Sequence, residues 1–195
     1  MLRRYESTLD SVYNFNDVVW RRPGSQIIMR PPVISEAELA LALGDGGQVA
    51  RETACVYSIS KVAQFGTAAP NWRTYLVRNW EQPRSPADAG LPRTEQEVQY
   101  WNKYVAEGWA EGERQAVEIF LNDLGRLQRD ITGMARYRVL LRAGVVANPK
   151  VATEQRAVDG GGSELRAGDR IVRITTPAGL RADAGVWRGA RRCPK

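Results

Sequence analysis

Residues 94–144 read TEQEVQYWNKYVAEGWAEGERQAVEIFLNDLGRLQRDITGMARYRVLLRAG, and this stretch decides the fold. Val98, Trp101, Val105, Trp109, Gly112, Ala116, Ile119, Leu124, Leu127, Ile131, Met134 and Leu141 recur at close to 3.6 residues, the period of an amphipathic α-helix. Thr94 and Glu97 have the S/T-x-x-E spacing of a capping box shortly after Pro92, and Gly144 follows the last periodic residue as a C-terminal cap should. One helix over the whole stretch would be about 75 Å long, too long for a compact domain of this size. A bend or break is therefore expected, with Gly108, Gly112, Gly125 and Gly133 as its candidates, since each costs about 1 kcal/mol of helix propensity relative to Ala. Gly108 and Gly112 lie one turn apart beside Val105 and Trp109, where they let another backbone approach; packing within the subunit is preferred to a contact between subunits. Trp101 and Trp109, about 80° apart on the helix, are expected to be buried.

Working outward, Leu2, Tyr5, Leu9, Val12 and Tyr13 fit one short amphipathic helix. Arg22-Pro23-Gly24 through Arg30-Pro31-Pro32 disfavours helix and leaves an extended segment. Its unpaired backbone groups make Arg22, Pro23, Arg30, Pro31 and Pro32 candidate interface residues for strand addition. Gly44-Asp45-Gly46-Gly47 is a turn. Thr53, Cys55, Tyr57 and Ile59 then alternate with Ala54, Val56, Ser58 and Ser60 as a strand of about eight residues, in which Cys55 reads as structural. Beyond Pro149, Val151–Val158, a turn at Asp159–Ser163 and Leu165–Thr176 read as strand, turn, strand, with a further tight turn at Ala167–Ile171. The fold class is α+β: a central long helical block, bent or broken, flanked by small β regions. It is read as one domain over residues 1–195, with a basic tail at 177–195 that is a second candidate contact segment.

Composition excludes several chemistries. The chain has no histidine, which removes Ser-His-Asp and Cys-His catalysis and the commonest metal ligand. Two cysteines, Cys55 and Cys193, do not make a structural zinc site. They can pair in an oxidising compartment, but the sequence does not place them within reach of each other. Glu107 and Glu111 sit four apart among polar neighbours like a solvated helix face, and neither Gly44–Gly47 nor Asp159–Ser163 has the spacing of a phosphate-binding loop. No enzyme, cofactor or metal is expected. The longest apolar runs are far short of the ~20 residues that span a bilayer. Met1-Leu2-Arg3-Arg4-Tyr5-Glu6 has no apolar h-region, so the protein is either cytosolic or its signal lies upstream.

The net charge is +6, carried by 24 Arg against 4 Lys. Basic residues are scattered and mostly near Asp or Glu, the pattern of a solvated surface rather than a nucleic-acid tail. Trp72, Tyr75 and Trp80 alternate with Arg73 and Arg78, a mixture that can stack on single-stranded bases. Packing of Trp72 and Tyr75 into a core is the preferred reading, because Pro70-Asn71 initiates a helix there. A basic nucleic-acid-binding module remains the alternative.

The same words carry a family resemblance. Ala69-Pro70-Asn71-Trp72-Arg73-Thr74-Tyr75-Leu76, then Leu91-Pro92-Arg93, then Trp101-Asn102-Lys103-Tyr104-Val105-Ala106-Glu107-Gly108-Trp109 closely resemble the DotC family of type IVB (Dot/Icm) secretion machines, with relatives in IncI-type conjugation systems. Arg126-Leu127, Arg129-Asp130, Gly133-Met134, Tyr137-Arg138 and Leu140-Leu141 continue the match, as do Tyr13-Asn14-Phe15, Arg30-Pro31-Pro32-Val33 and Val172-Arg173-Ile174-Thr175. The resemblance covers roughly Tyr13 to Thr176. It implies a non-enzymatic periplasmic lipoprotein at the outer membrane that joins DotD-like and DotH-like partners, and further copies of itself, in a ring-shaped core complex without specific nucleic-acid binding. In the family an N-terminal cysteine carries the lipid; here the first cysteine, Cys55, preceded by Glu52-Thr53-Ala54, does not form a lipobox, so either the sequence begins after the anchor or this member has lost it.

Overall fold

The computed structural model describes residues 2–21, 25–84, 87 and 90–188. In chain order its elements are α1 (Glu6–Val12), β1 (Trp20–Arg21), β2 (Ile28–Arg30), β3 (Val33–Gly44), β4 (Val49–Lys61), β5 (Gln64–Gly66), α2 (Arg73–Leu76), α3 (Glu95–Arg142), β6 (Val146–Ala147), β7 (Lys150–Gly161), β8 (Glu164–Thr176) and β9 (Gly179–Leu180). The architecture is α+β, a long helix with several small antiparallel sheets.

The helical block is one element. α3 runs for 48 residues without interruption, about 72 Å, so the expected break at Gly108, Gly112, Gly125 or Gly133 does not occur. Around each glycine lie good helix formers, and the scattered propensity cost is too small to open the backbone ladder. Both ends are capped as the sequence predicts. The Glu97 backbone N–H donates to Thr94 Oγ1 at 3.2 Å, while the Glu97 carboxylate accepts from the backbone N–H groups of Thr94 at 3.1 Å and Arg93 at 2.8 Å. Those two donors hold the Glu97 carboxyl below the usual carboxylate range. At the other end the Val145 N–H reaches Leu140 O at 2.9 Å and the Gly144 N–H reaches Leu141 O at 3.1 Å, a Schellman motif with Gly144 at φ +78°.

The chain divides into two compact units, one of Met1–Tyr13 with Pro70–Gln128, the other of Asn14–Ala69 with Arg129–Lys195. In the first, Trp72, Leu76, Asp123 and Leu127 are buried. Trp72 Nε1 donates to Asp10 Oδ1 at 2.7 Å, tying α2's leading residue to α1. The Arg73 guanidinium lies 4.3 Å from the Trp72 ring centroid and pairs with Asp10 at 2.8 Å. Hydrogen bonds from Arg73 and Trp72 hold the Asp10 carboxyl below its ordinary value. Buried Asp123 is held by Arg78 at 2.7 Å and Arg126 at 3.1 Å.

In the second unit, β1, β2 and β5 form an antiparallel sheet with β2 at its centre. This corrects the strand-addition reading: Ile28–Arg30 is hydrogen-bonded on both edges, and Pro31, Pro32 and Val33 are buried. Arg22 and Pro23 lie outside the described residues. β3 and β4 pair in one long hairpin across the Asp45–Gln48 turn, so the strand expected over about eight residues spans 13. Thr53, Cys55, Tyr57 and Ile59 do take the more covered positions, alternating with exposed neighbours. Cys55 is disulfide-bonded; Cys193 lies outside the described residues.

The core of this unit is Ile34, Tyr137, Leu140, Val145, Val146 and Ala178, flanked by Tyr57, Ile59 and Trp187. Gly133 lets β3 come close to α3, because a Cβ there would run into Val33 Cγ1 and sit 3.0 Å from the Ile34 backbone nitrogen. Arg136 clamps the same junction, pairing with Glu36 at 3.0 Å and donating to Ile34 O at 2.8 Å. β7 and β8 form the second hairpin, turning through Gly162 and Ser163. The tight turn expected at Ala167–Ile171 is continuous strand, with Gly168 at φ +70°. The start of the stretch read as a basic tail is built in: Ala178 is buried and β9 pairs with β6.

Candidate functional site

The feature that distinguishes this chain is the first half of α3. Spaced at about 100° per residue, Val98, Trp101, Val105, Trp109, Gly112 and Ala116 fall within an arc of about 80°. Met134 and Leu141, 36 and 43 residues beyond Val98, fall in the same arc. One face therefore runs the length of the helix. In its second half Leu127, Met134, Tyr137 and Leu140 are buried. In its first half every residue from Glu95 to Glu118 is exposed, Trp109 by 71% and Trp101 by 38%.

This corrects the expected burial of Trp101 and Trp109. A helical period identifies a face that must be covered, and here the described residues do not cover it. Gly108 and Gly112 likewise meet nothing within 4 Å of a Cβ built on them. They leave a shallow notch beside Trp109 rather than packing inside the subunit. Where the helix begins, a groove of about 780 Å³ is lined by Leu91, Pro92, Tyr100, Trp101, Tyr104 and Val105 among others.

Trp72 is 1% exposed, and Tyr75 is half-buried with the Arg126 guanidinium 6.0 Å from its ring. With Arg78 bound to Asp123, Trp72, Arg73 and Arg78 are committed to internal contacts, and only Trp80 of that aromatic-basic set presents an open ring. Arg30 donates from Nη2 to Ala68 O at 3.2 Å, leaving its buried Nε without a hydrogen-bond partner.

Two carboxylates in the second half of α3 have a role that composition does not announce. Asp123 and Asp130 are the buried acidic residues among those described, two turns apart on the covered face. Asp130 takes Lys61 from the end of β4, with Arg129 at 3.5 Å. Their signal in the sequence is position: both fall on the apolar stripe, where a charge must be paired to be tolerated. At the base of the first hairpin, burial and the facing Glu36 carboxylate push the Tyr57 phenol up to about 12. Glu107 and Glu111 are exposed and paired with Lys103 and Arg114. Among the described residues no group of three or more His, Cys, Asp or Glu is arranged to hold a metal ion, and no helix is long and apolar enough to cross a membrane.

Among the described residues the first half of α3 thus presents an exposed aromatic and apolar stripe that nothing covers. The family model described as "Type IV secretory system, conjugal DNA-protein transfer" matches residues 1–189. The chain belongs to that family. No curated protein matches it. The matched span takes in both halves of α3 and both long hairpins, so the bare helix is part of the family's own domain rather than an appended segment.

Proposed function

We propose that this chain is a structural, non-catalytic subunit of the outer-membrane core complex of a type IVB secretion or conjugation machine, a DotC-like protein on the periplasmic face of the outer membrane. In this reading it helps build the ring through which protein or DNA passes, beside DotD-like and DotH-like subunits and further copies of itself. Where the full precursor carries an N-terminal lipid, that lipid holds it at the membrane.

The observation that carries the reading is the bare aromatic face of α3 in a chain of the conjugal-transfer family. Exposed contiguous apolar surface of this kind marks a protein interface. The β7–β8 hairpin points the same way, since all of β7 and most of β8 are exposed, and an isolated two-stranded hairpin is marginal in water. The disulfide at Cys55 suits an oxidising compartment such as the periplasm. The nucleic-acid alternative loses its main support with Trp72, Arg73 and Arg78 engaged internally.

The test is purification of the tagged chain from cells carrying its whole conjugation system, followed by electron microscopy. Co-purification with outer-membrane core subunits in ring-shaped particles is expected. Recovery in the cytosolic fraction, or as a salt-sensitive complex with single-stranded DNA, would contradict the proposal.

A further inference from the structure

The charges around the bare face of α3 are not arranged like those of the rest of the chain. Between Glu95 and Glu118 there are six glutamates against Lys103 and Arg114, a net −4 within a chain of +6. Their placement is sided. On the helical wheel Glu95 and Glu113 border the Val98–Ala116 stripe on one flank and Glu97 borders it on the other, while Glu111 lies about 80° beyond that edge. Lys103 and Arg114 lie on the opposite side of the helix. There Lys103 pairs with Glu107 at 4.0 Å, while Arg114 reaches round to Glu111. The apolar stripe is thus bordered by Glu95 and Glu113 on one flank and by Glu97, which also caps the helix, on the other, in a protein that is otherwise strongly basic.

We propose that the first half of α3 docks a basic amphipathic helix of a partner protein, with the partner's apolar side chains seated on Trp101, Val105 and Trp109 and its Lys or Arg residues facing the flanking glutamates. Rows of apolar residues bordered by charges of one sign are how helix pairs choose their partners. The stripe from Val98 to Ala116 is about 27 Å long, so it matches a helix of about 18 residues. The notch at Gly108 and Gly112 lets the two backbones approach closely. A second copy of the same helix is the wrong occupant, because it would bring carboxylate fringe against carboxylate fringe. The inference rests on the reading of this chain as an assembly subunit and adds the chemistry of what it assembles with.

The probes are two labelled amphipathic peptides of about three heptads, with the same leucine face and either lysine or glutamate on the flanks. Binding to the full chain is read by fluorescence anisotropy, and self-association by sedimentation. The lysine peptide is expected to bind, to weaken as salt rises, and to lose about tenfold or more in affinity in the Trp101→Ala/Trp109→Ala variant. The Glu95→Lys/Glu113→Lys variant should lose about tenfold and show a shallower salt dependence. Unchanged far-ultraviolet circular dichroism keeps these losses from being read as unfolding.

The control is demanding because the net charge of +6 favours the glutamate peptide. Equal or tighter binding of the glutamate peptide, indifference to the variants, absence of binding, or self-association through Trp109 would each overturn the inference. If peptide binding fails while the tagged chain still co-purifies with core subunits, this inference falls and the proposed function stands. If the lysine peptide binds while no core subunit co-purifies, the proposed function falls and the docking chemistry stands.

Discussion

The two halves of α3 share one period and differ in their surroundings. From Asp123 onward the stripe meets buried neighbours, charges on it are paired, and Gly133 is pressed against β3. Before Glu118 the same stripe carries tryptophans in solvent, and Gly108 and Gly112 stand in open space. Both halves say that an apolar face exists; only the second finds its cover among the described residues. The hydrophobic driving force does not distinguish a chain's own core from a partner's surface, so amphipathicity reports the need for a cover and not its source.

The contrast predicts a large asymmetry in stability. Leu140→Ala, at a fully buried site, should cost about 2–5 kcal/mol in chemical denaturation. Trp109→Ala should stay within about 0.5 kcal/mol of the parent chain despite deleting a far larger side chain. A loss of several kcal/mol at Trp109 would break the comparison by placing its cover inside this chain. The glycines sharpen it further. Gly133→Ala forces a Cβ against the Val33 side chain and the Ile34 backbone and should destabilise by about 1–3 kcal/mol. Gly108→Ala, with nothing near it, should stabilise by up to about 1 kcal/mol through helix propensity, read as a raised thermal midpoint.

Smaller effects probe the helix start and the covered hairpin base. Glu97→Ala removes the carboxylate that accepts from two backbone N–H groups and should fray the first turn of α3, seen as faster hydrogen exchange there. At the other end of the comparison, the folded chain holds the Tyr57 phenol at about 12, above its ordinary value of 10. Its contribution is therefore whole below about pH 10 and is lost as pH rises through about 12. Tyr57→Phe should remove the last tyrosinate absorbance step and flatten stability in that window, while Glu36→Gln should bring the step to lower pH.

Much of this was legible locally. Thr94, Glu97 and Gly144 mark both ends of α3 because capping is decided by residues within one turn. The alternation at Thr53–Ser60 and the glycines at 160–162 announce strands and a hairpin for the same reason. β3 was not legible: Glu36-Ala37-Glu38-Leu39-Ala40-Leu41 is composed of good helix formers, and only pairing with β4 across the Asp45–Gln48 turn makes it a strand. The buried carboxylates needed partners at long range, Arg78 lying 45 residues from Asp123 and Lys61 lying 69 from Asp130. Ile28–Arg30 looked available for strand addition because its partner β5 is contributed by a distant segment. The break expected in α3 followed from requiring a helix of this length to fit a compact domain.

The central claim is that the first half of α3 is covered by another protein in the working assembly. A photo-cross-linking amino acid at position 109, in cells carrying the complete conjugation system, tests it most directly. The account predicts a covalent adduct between this chain and a different subunit at position 109, and none at position 103 on the opposite side of the helix. No adduct at 109, an adduct only to a second copy of this chain, or equal adducts at 103 and 109 would contradict it.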